Sequence, residues 1–155
     1  MIADMPRLIF DSPIGRLTIF EEDGRLTSVD WGGKRPAGEP TPLLIEARRQ
    51  LVAYFAGRLK TFDLPLDPAG SSLELSVWHA MCDIPYGLTR SYGELAQELG
   101  AQPRTIGQAC GRNPLPVFIP CHRVLAAGGA LGGYSGGRGT ETKRQLLILE
   151  GALLV

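Results

Sequence analysis

Cys121, His122 and Arg123 stand consecutively, behind Pro120 and ahead of Val124. This sets a sulfur nucleophile beside a proton acceptor and a permanent cation. A free thiol has a pKa of about 8.5 and is mostly protonated at neutral pH; a nearby cation or a histidine relay lowers that value and arms the sulfur. The chemistry such a trio supports is attack by a thiolate on an electrophilic centre. The alternative is plain burial, because an unpaired cysteine commonly packs as a small hydrophobe. Taken alone, Cys121 leaves both readings open.

The flanking residues bear on that choice. Asn113-Pro114-Leu115-Pro116-Val117-Phe118-Ile119-Pro120 approaches the cysteine with three prolines, so the segment is stiff, extended and not helical. It is suited to positioning the thiol. Downstream, Gly128-Gly129, Gly132-Gly133-Tyr134-Ser135 and Gly136-Gly137 form a glycine-dense loop in which backbone can approach a ligand closely.

The elements that must carry these residues are legible from periodicity and caps. Arg7 to Phe10 and Arg16 to Phe20, joined by Ser12-Pro13-Ile14-Gly15, read as a hairpin. Asp23-Gly24 is a two-residue turn signal, and Thr27, Val29 and Trp31 alternate beyond it as a third strand with one buried face. After a polar loop from Gly32 to Pro42, Thr41-Pro42 offers an N-cap with proline at the first helical position. Leu44, Ala47, Leu51 and Tyr54 then follow at helical spacing to about Phe55. Phe62 to Leu66 reads as an edge strand, and Asp67 to Ser72 has linker composition. The boundary is placed there, dividing the chain into 1–70, a scaffold without nucleophile, base or metal ligands, and 71–155.

Ser71 and Glu74 make a capping box for a helix whose Val77, Trp78, Met81 and Ile84 are apolar. Ser91 and Glu94 make a second, for a short helix that stops at Gly100. A third helix runs from near Pro103 to about Arg112. Two short helices joined by a glycine turn predict a helix-turn-helix with 103–112 as the recognition helix. Gly107, Ala109, Cys110 and Gly111 weaken that helix, each glycine by roughly 1 kcal/mol relative to alanine. Its thin face suits either a narrow groove or close packing inside the domain. Thr140 is expected to cap a last helix through Leu149. Glu150 at its end opposes the helix dipole, so it faces solvent or a partner.

Composition sets limits. The 155 residues carry zero formal net charge, so any nucleic-acid surface must be a local patch, for which Arg90, Arg104, Arg112 and Arg123 are the candidates. Cys82, Cys110 and Cys121 are an odd number without metal-ligand spacing, which argues against disulfides and zinc. Asp4 and Pro6 precede any apolar run and no stretch is long enough to span a bilayer, so neither a secretory leader nor a membrane anchor is expected. The expected location is the cytoplasm.

Asn113-Pro114, Pro120-Cys121-His122-Arg123-Val124, Gly132-Gly133-Tyr134-Ser135-Gly136-Gly137 and the terminal Leu146-Leu147-Ile148-Leu149-Glu150-Gly151 together resemble the O6-alkylguanine-DNA alkyltransferases, or methylated-DNA–protein-cysteine methyltransferases. The resemblance runs from about Val77 to Gly151. It implies an α+β fold: a small N-terminal domain of antiparallel sheet plus helix, then a mainly helical domain with a winged-helix-like helix-turn-helix. It implies direct-reversal DNA repair, with irreversible, once-only transfer of the alkyl group of O6-alkylguanine to Cys121; O4-alkylthymine stays open as a second substrate. By the same resemblance His122 takes the thiol proton through a water, Glu150 orients the histidine and Asn113 braces the network. Tyr92 crowds the target phosphate and Arg104 fills the vacated stack. Gly107, Cys110, Gly111, Arg123, Val124, Tyr134 and Ser135 contact DNA or the flipped base. No cofactor or metal is implied. The partner is duplex DNA gripped through the minor groove by a monomer, with cooperativity left open.

Three other classes remain. A non-catalytic reader of alkylated bases would keep the DNA-reading elements, but such relatives lack the cysteine that stands here at 121. A thiol hydrolase or peroxide-reducing protein would need an oxyanion hole or a resolving cysteine. A sequence-specific regulator is disfavoured because base-reading Gln and Asn are sparse on 103–112.

Overall fold

The computed structural model describes residues 5–34 and 39–154. Asp4, and residues 35–38 of the polar loop expected between Gly32 and Pro42, lie outside them. The chain divides into two compact units, Met1–Ala69 and Gly70–Val155.

In the first unit β1 (Arg7–Ser12), β2 (Gly15–Glu22) and β3 (Arg25–Trp31) form an antiparallel meander in that order. Asp23 and Gly24 both have positive φ, 51° and 76°, the conformation a two-residue turn needs to match the strand twist. The register slips after Phe20↔Ser28 to Glu21↔Leu26, leaving Thr27 as a bulge. Leu26 and Val29, three apart, are thereby both buried, whereas the simple alternation expected of Thr27, Val29 and Trp31 buries only Val29. Helix α1 (Pro42–Phe55) starts where the Thr41 hydroxyl accepts from the Leu44 N–H at 3.2 Å. It packs Leu44, Ala47, Leu51 and Tyr54 inward, each large side chain worth about 1.5–3 kcal/mol in burial. The edge strand expected over Phe62 to Leu66 is reduced to one bridge between Leu66 and Leu26. Pro65 accepts from the Leu26 N–H at 2.9 Å but has no N–H of its own, so no ladder extends through it.

In the second unit both capping boxes form. The Glu74 N–H meets the Ser71 hydroxyl at 3.1 Å and starts α2 (Ser72–Cys82); the Glu94 N–H meets the Ser91 hydroxyl at 3.0 Å and starts α3 (Tyr92–Leu99). Gly100, at φ 65°, ends α3 in the left-handed conformation. Helix α4 (Pro103–Gly111) packs against α3, and the Trp78 indole donates to the Ala109 carbonyl at 2.9 Å, tying α4 to α2. Two short strands, β4 (Arg90–Ser91) and β5 (Val124–Leu125), pair in parallel. The last helix, α5 (Thr140–Leu149), is not capped by Thr140. Gly139, at φ 64°, holds the N-cap position; Thr140 is the first helical residue, and Thr142 takes the Arg138 N–H at 2.8 Å. The architecture is α+β, a sheet with one helix followed by a mainly helical part. Among the described residues no helix is long and apolar enough to cross a membrane.

Candidate active site

Asn113, two residues beyond α4, is where the site is assembled. Its N–H donates to the Cys110 carbonyl at 3.3 Å, and its side-chain oxygen accepts from the Leu115 N–H at 2.9 Å. Its side-chain NH2 donates to the Ile119 carbonyl at 2.9 Å and to Cys121 Sγ at 3.2 Å. One amide thus closes the proline-rich segment into a compact turn and reaches the thiol. Inside that turn buried Val117 sits at φ 75°, where a β-branched residue costs about 1–3 kcal/mol and persists only because its surroundings hold it. The chain then tightens into a 3-10 turn, Cys121–Arg123, with the Arg123 N–H on the Pro120 carbonyl at 3.0 Å.

Within the turn Cys121 lines a cavity, while His122 and Arg123 both turn to Glu150. Cys121 is buried, and burial pushes its thiol above the ordinary value, against the pull of the Asn113 hydrogen bond and the Lys143 charge. The cysteine therefore rests as a thiol. His122, fully buried, places Nε2 2.8 Å from Glu150 Oε2. A carboxylate only accepts, so Nε2 carries the proton and Nδ1 is the basic nitrogen. Nδ1 is buried and meets no hydrogen-bonding protein atom among the described residues. Burial holds the imidazole below its usual value, with Glu150 opposing.

Arg123 departs from the sequence reading. It is 7% exposed, donates from Nε to Glu150 Oε1 at 2.8 Å and from Nη2 to Oε2 at 3.0 Å, and gives Nη1 to the Ile84 carbonyl at 2.6 Å. It joins neither a surface patch nor the thiol. Of the other patch candidates, Arg90 pairs with Glu98 at 3.0 Å and Arg112 with Glu74 at 3.5 Å, while Arg104 is exposed on the first turn of α4. Glu150 faces inward and takes the partner option left open for it.

A cavity of about 490 Å³ opens over the sulfur, lined by Tyr92, Gly107, Cys110, Gly111, Cys121, Gly133, Tyr134 and Ser135. Gly107, Cys110 and Gly111 fall at i, i+3 and i+4, one face of α4. A side chain added at either glycine would meet nothing within 4 Å, so their smallness does not serve packing inside the domain and keeps the cavity open. Burial pushes Tyr92 up to about 12, as it does Cys110, so at neutral pH the phenol stays a donor and Cys110 a protonated thiol. Lys143, buried on α5, donates to the Val124 carbonyl at 2.6 Å, the Gly133 carbonyl at 3.3 Å and the Tyr92 hydroxyl at 3.5 Å. At Gly132, φ 71°, the loop comes so close to Tyr92 that an added Cβ would lie 3.1 Å from its ring.

Seven of the residues expected at the site thus line one cavity: Tyr92, Gly107, Cys110, Gly111, Cys121, Tyr134 and Ser135. Asn113 holds the sulfur, and His122 and Glu150 form a buried pair beginning at the next residue of the turn. Val124 is fully buried, and its carbonyl accepts from Lys143 Nζ at 2.6 Å. Sequence reasoning missed Lys143, although a signal was there: with Leu146, Leu147 and Glu150 it repeats at i, i+3, i+4 and i+7, the buried face of α5.

Comparison with known proteins adds to the geometry. The family model described as "6-O-methylguanine DNA methyltransferase, DNA binding domain" matches residues 72–152, and "6-O-methylguanine DNA methyltransferase, ribonuclease-like domain" matches residues 7–68. The chain is 43% identical over 152 residues to the constitutive methylated-DNA–protein-cysteine methyltransferase of Bacillus subtilis, covering 90% of this chain and 92% of that one. Its fold matches the crystal structure of Mycobacterium tuberculosis O6-methylguanine methyltransferase with a TM-score of 0.82 at 42% identity, over 96% of this chain and 93% of that one. It also matches Mycobacterium tuberculosis OGT in complex with DNA, with a TM-score of 0.81 at 44% identity, over 93% and 91% of the two chains.

Proposed function

The chain belongs to the 6-O-methylguanine DNA methyltransferase family, and on that premise we propose that it reverses O6-alkylguanine damage in DNA by moving the alkyl group irreversibly onto Cys121. The observation that carries this reading is the sulfur at the cavity wall, held by Asn113 and backed by a buried His122–Glu150 pair.

The carbon under attack is sp3 and its leaving group is the base oxygen, so the step is a direct displacement. As the lesion approaches, the Cys121 proton passes towards His122 Nδ1, through a water in the relay the family resemblance implies. The S–C bond forms as the C–O bond breaks, the electron pair leaves on the base oxygen, and the base takes up a proton. Tyr92, still a phenol at neutral pH, and the Lys143 ammonium beside it supply donors and positive charge where negative charge develops. The thioether has no easy leaving group and is not reduced by thiols, so each molecule acts once. The alkylated edge is hidden in the paired duplex, which makes extrusion of the nucleotide a physical requirement. The smooth face of α4 with exposed Arg104 at its start supports docking in the minor groove, with Arg104 entering the vacated stack and Tyr92, Tyr134 and Ser135 around the extruded base. The machinery lies within one chain's residues 70–155, which supports action as a monomer, and three free thiols suit the reducing cytoplasm.

A non-catalytic reader of alkylated bases is disfavoured by the presence of the Cys121 sulfur in the cavity lining with the Asn113 amide on it. The test is to follow the lesion: incubation with a duplex carrying O6-methylguanine should restore guanine, one per protein molecule, with no release of a methylated small molecule. Tight binding that leaves the lesion intact would replace this reading with the non-catalytic one.

A further inference from the structure

We propose that Arg123, acting through Glu150, is a positioning residue that keeps His122 a neutral base, a role that rests on Cys121 being the alkyl acceptor. Glu150 is 4% exposed and its carboxylate receives three donors: Arg123 Nε on Oε1, Arg123 Nη2 on Oε2, and His122 Nε2 on that same Oε2. Glu150 and Arg123 together are electrically neutral. A second cation in this buried cluster would be uncompensated, and Lys143 on α5 already adds positive potential.

Without the guanidinium the same carboxylate would be a buried anion in hydrogen-bond contact with the imidazole, which would take a proton to offset it. A protonated His122 donates from both nitrogens and accepts nothing, so the Cys121 proton would have no destination. The guanidinium is itself held on its other side, by Nη1 on the Ile84 carbonyl at 2.6 Å and by the face of Tyr86, whose ring centre lies 5.8 Å away. Tyr86 Oη donates to the Leu149 carbonyl at 3.2 Å, one residue before Glu150. Arg123 thus joins the end of α2, the cysteine turn and the end of α5. The charged groups facing His122 are Lys143 from α5, Glu150 at the end of that helix and Arg123 from its own turn; the Tyr86 phenol lies near Glu150 and Arg123, and from α2 the Cys82 thiol lies near Arg123.

The test uses imidazole nitrogen NMR, for which the chain is suited because it has two histidines, exposed His79 serving as internal control. In the wild-type chain, without DNA, His122 should stay neutral below pH 6.5. In Arg123→Gln the His122 midpoint should rise by about one unit or more, with His79 unmoved. The transfer rate should fall as pH drops through the raised midpoint, about tenfold one unit below it, and recover on the alkaline side. Arg123→Lys, which keeps the charge, should hold His122 neutral and restore most of the rate.

If Arg123→Gln does not fold, the double variant Arg123→Gln with Glu150→Gln removes both buried charges and should return a neutral His122. A His122 midpoint unchanged in Arg123→Gln, protonated in the double variant, or raised in Arg123→Lys overturns the proposal. A pH-independent loss of rate that lysine does not rescue also overturns it, leaving Arg123 a purely structural residue. Because the titration is read without substrate, its failure is distinguishable from failure of Cys121 to accept an alkyl group.

Discussion

At the scale of single residues, the sulfur is kept as a thiol until it is needed. A buried site that raises the Cys121 pKa protects it from stray electrophiles, and the cost is that a base must act at the moment of attack. Glu150 is the most heavily committed group behind that base. Glu150→Gln leaves the Arg123 guanidinium buried without its counter-charge, which should cost about 3–5 kcal/mol and appear as a large drop in denaturation midpoint together with loss of transfer. His122 makes stability depend on pH with a definite sign. Its folded value is held below the ordinary 6.5, so on acidification the unfolded chain binds the proton first. The stability it contributes is present above that ordinary value and is lost as pH falls through it towards the folded value. Denaturant midpoints measured from neutral to mildly acid pH should fall, and the fall should survive His79→Gln.

At the scale of elements, α4 is built for access rather than for its own stability. Gly111→Ala should raise thermal stability by about 0.5–1 kcal/mol through helix propensity, because the added methyl meets open space. A larger side chain there, Gly111→Leu, should leave the fold intact and block transfer from a duplex lesion. Opposite signs in a melting curve and a transfer assay check this. At Gly132 the added methyl both meets Tyr92 and forces a left-handed residue, so Gly132→Ala should lose about 1–2 kcal/mol and slow transfer. Elements of this kind were legible in the sequence because their signals are local: two capping boxes, the Asp23-Gly24 turn, and the spacing of Leu44, Ala47, Leu51 and Tyr54. What was illegible depended on distant partners. Arg123 read as a DNA contact because nothing near it in sequence announces Glu150. The bulge at Thr27 and the loss of the expected strand at Phe62 to Leu66 came from strand register and from Pro65. Thr140 yielded the cap to Gly139, whose left-handed backbone starts the helix at Thr140 itself. Lys143 was the readable miss, a lysine on the apolar stripe of α5.

At the scale of the whole molecule, zero net charge has to be reconciled with a DNA partner. Two of the four candidate arginines are paired with carboxylates and one is buried on Glu150, so few phosphates are neutralised on binding. Log affinity against log salt should therefore have a shallow slope, at about 0.9 per phosphate contact, and Arg104→Ala should weaken duplex binding. A steep slope would reveal a basic surface assembled some other way.

The central claim is that Cys121 receives the alkyl group, and intact-protein mass after mixing with excess O6-methylguanine duplex, followed by peptide mapping, tests it most directly. The account predicts one added methyl per molecule, on the peptide containing Cys121, saturating there and absent in Cys121→Ala. A methyl mapped to Cys82 or Cys110, more than one per molecule, or none at all while guanine is restored would contradict it.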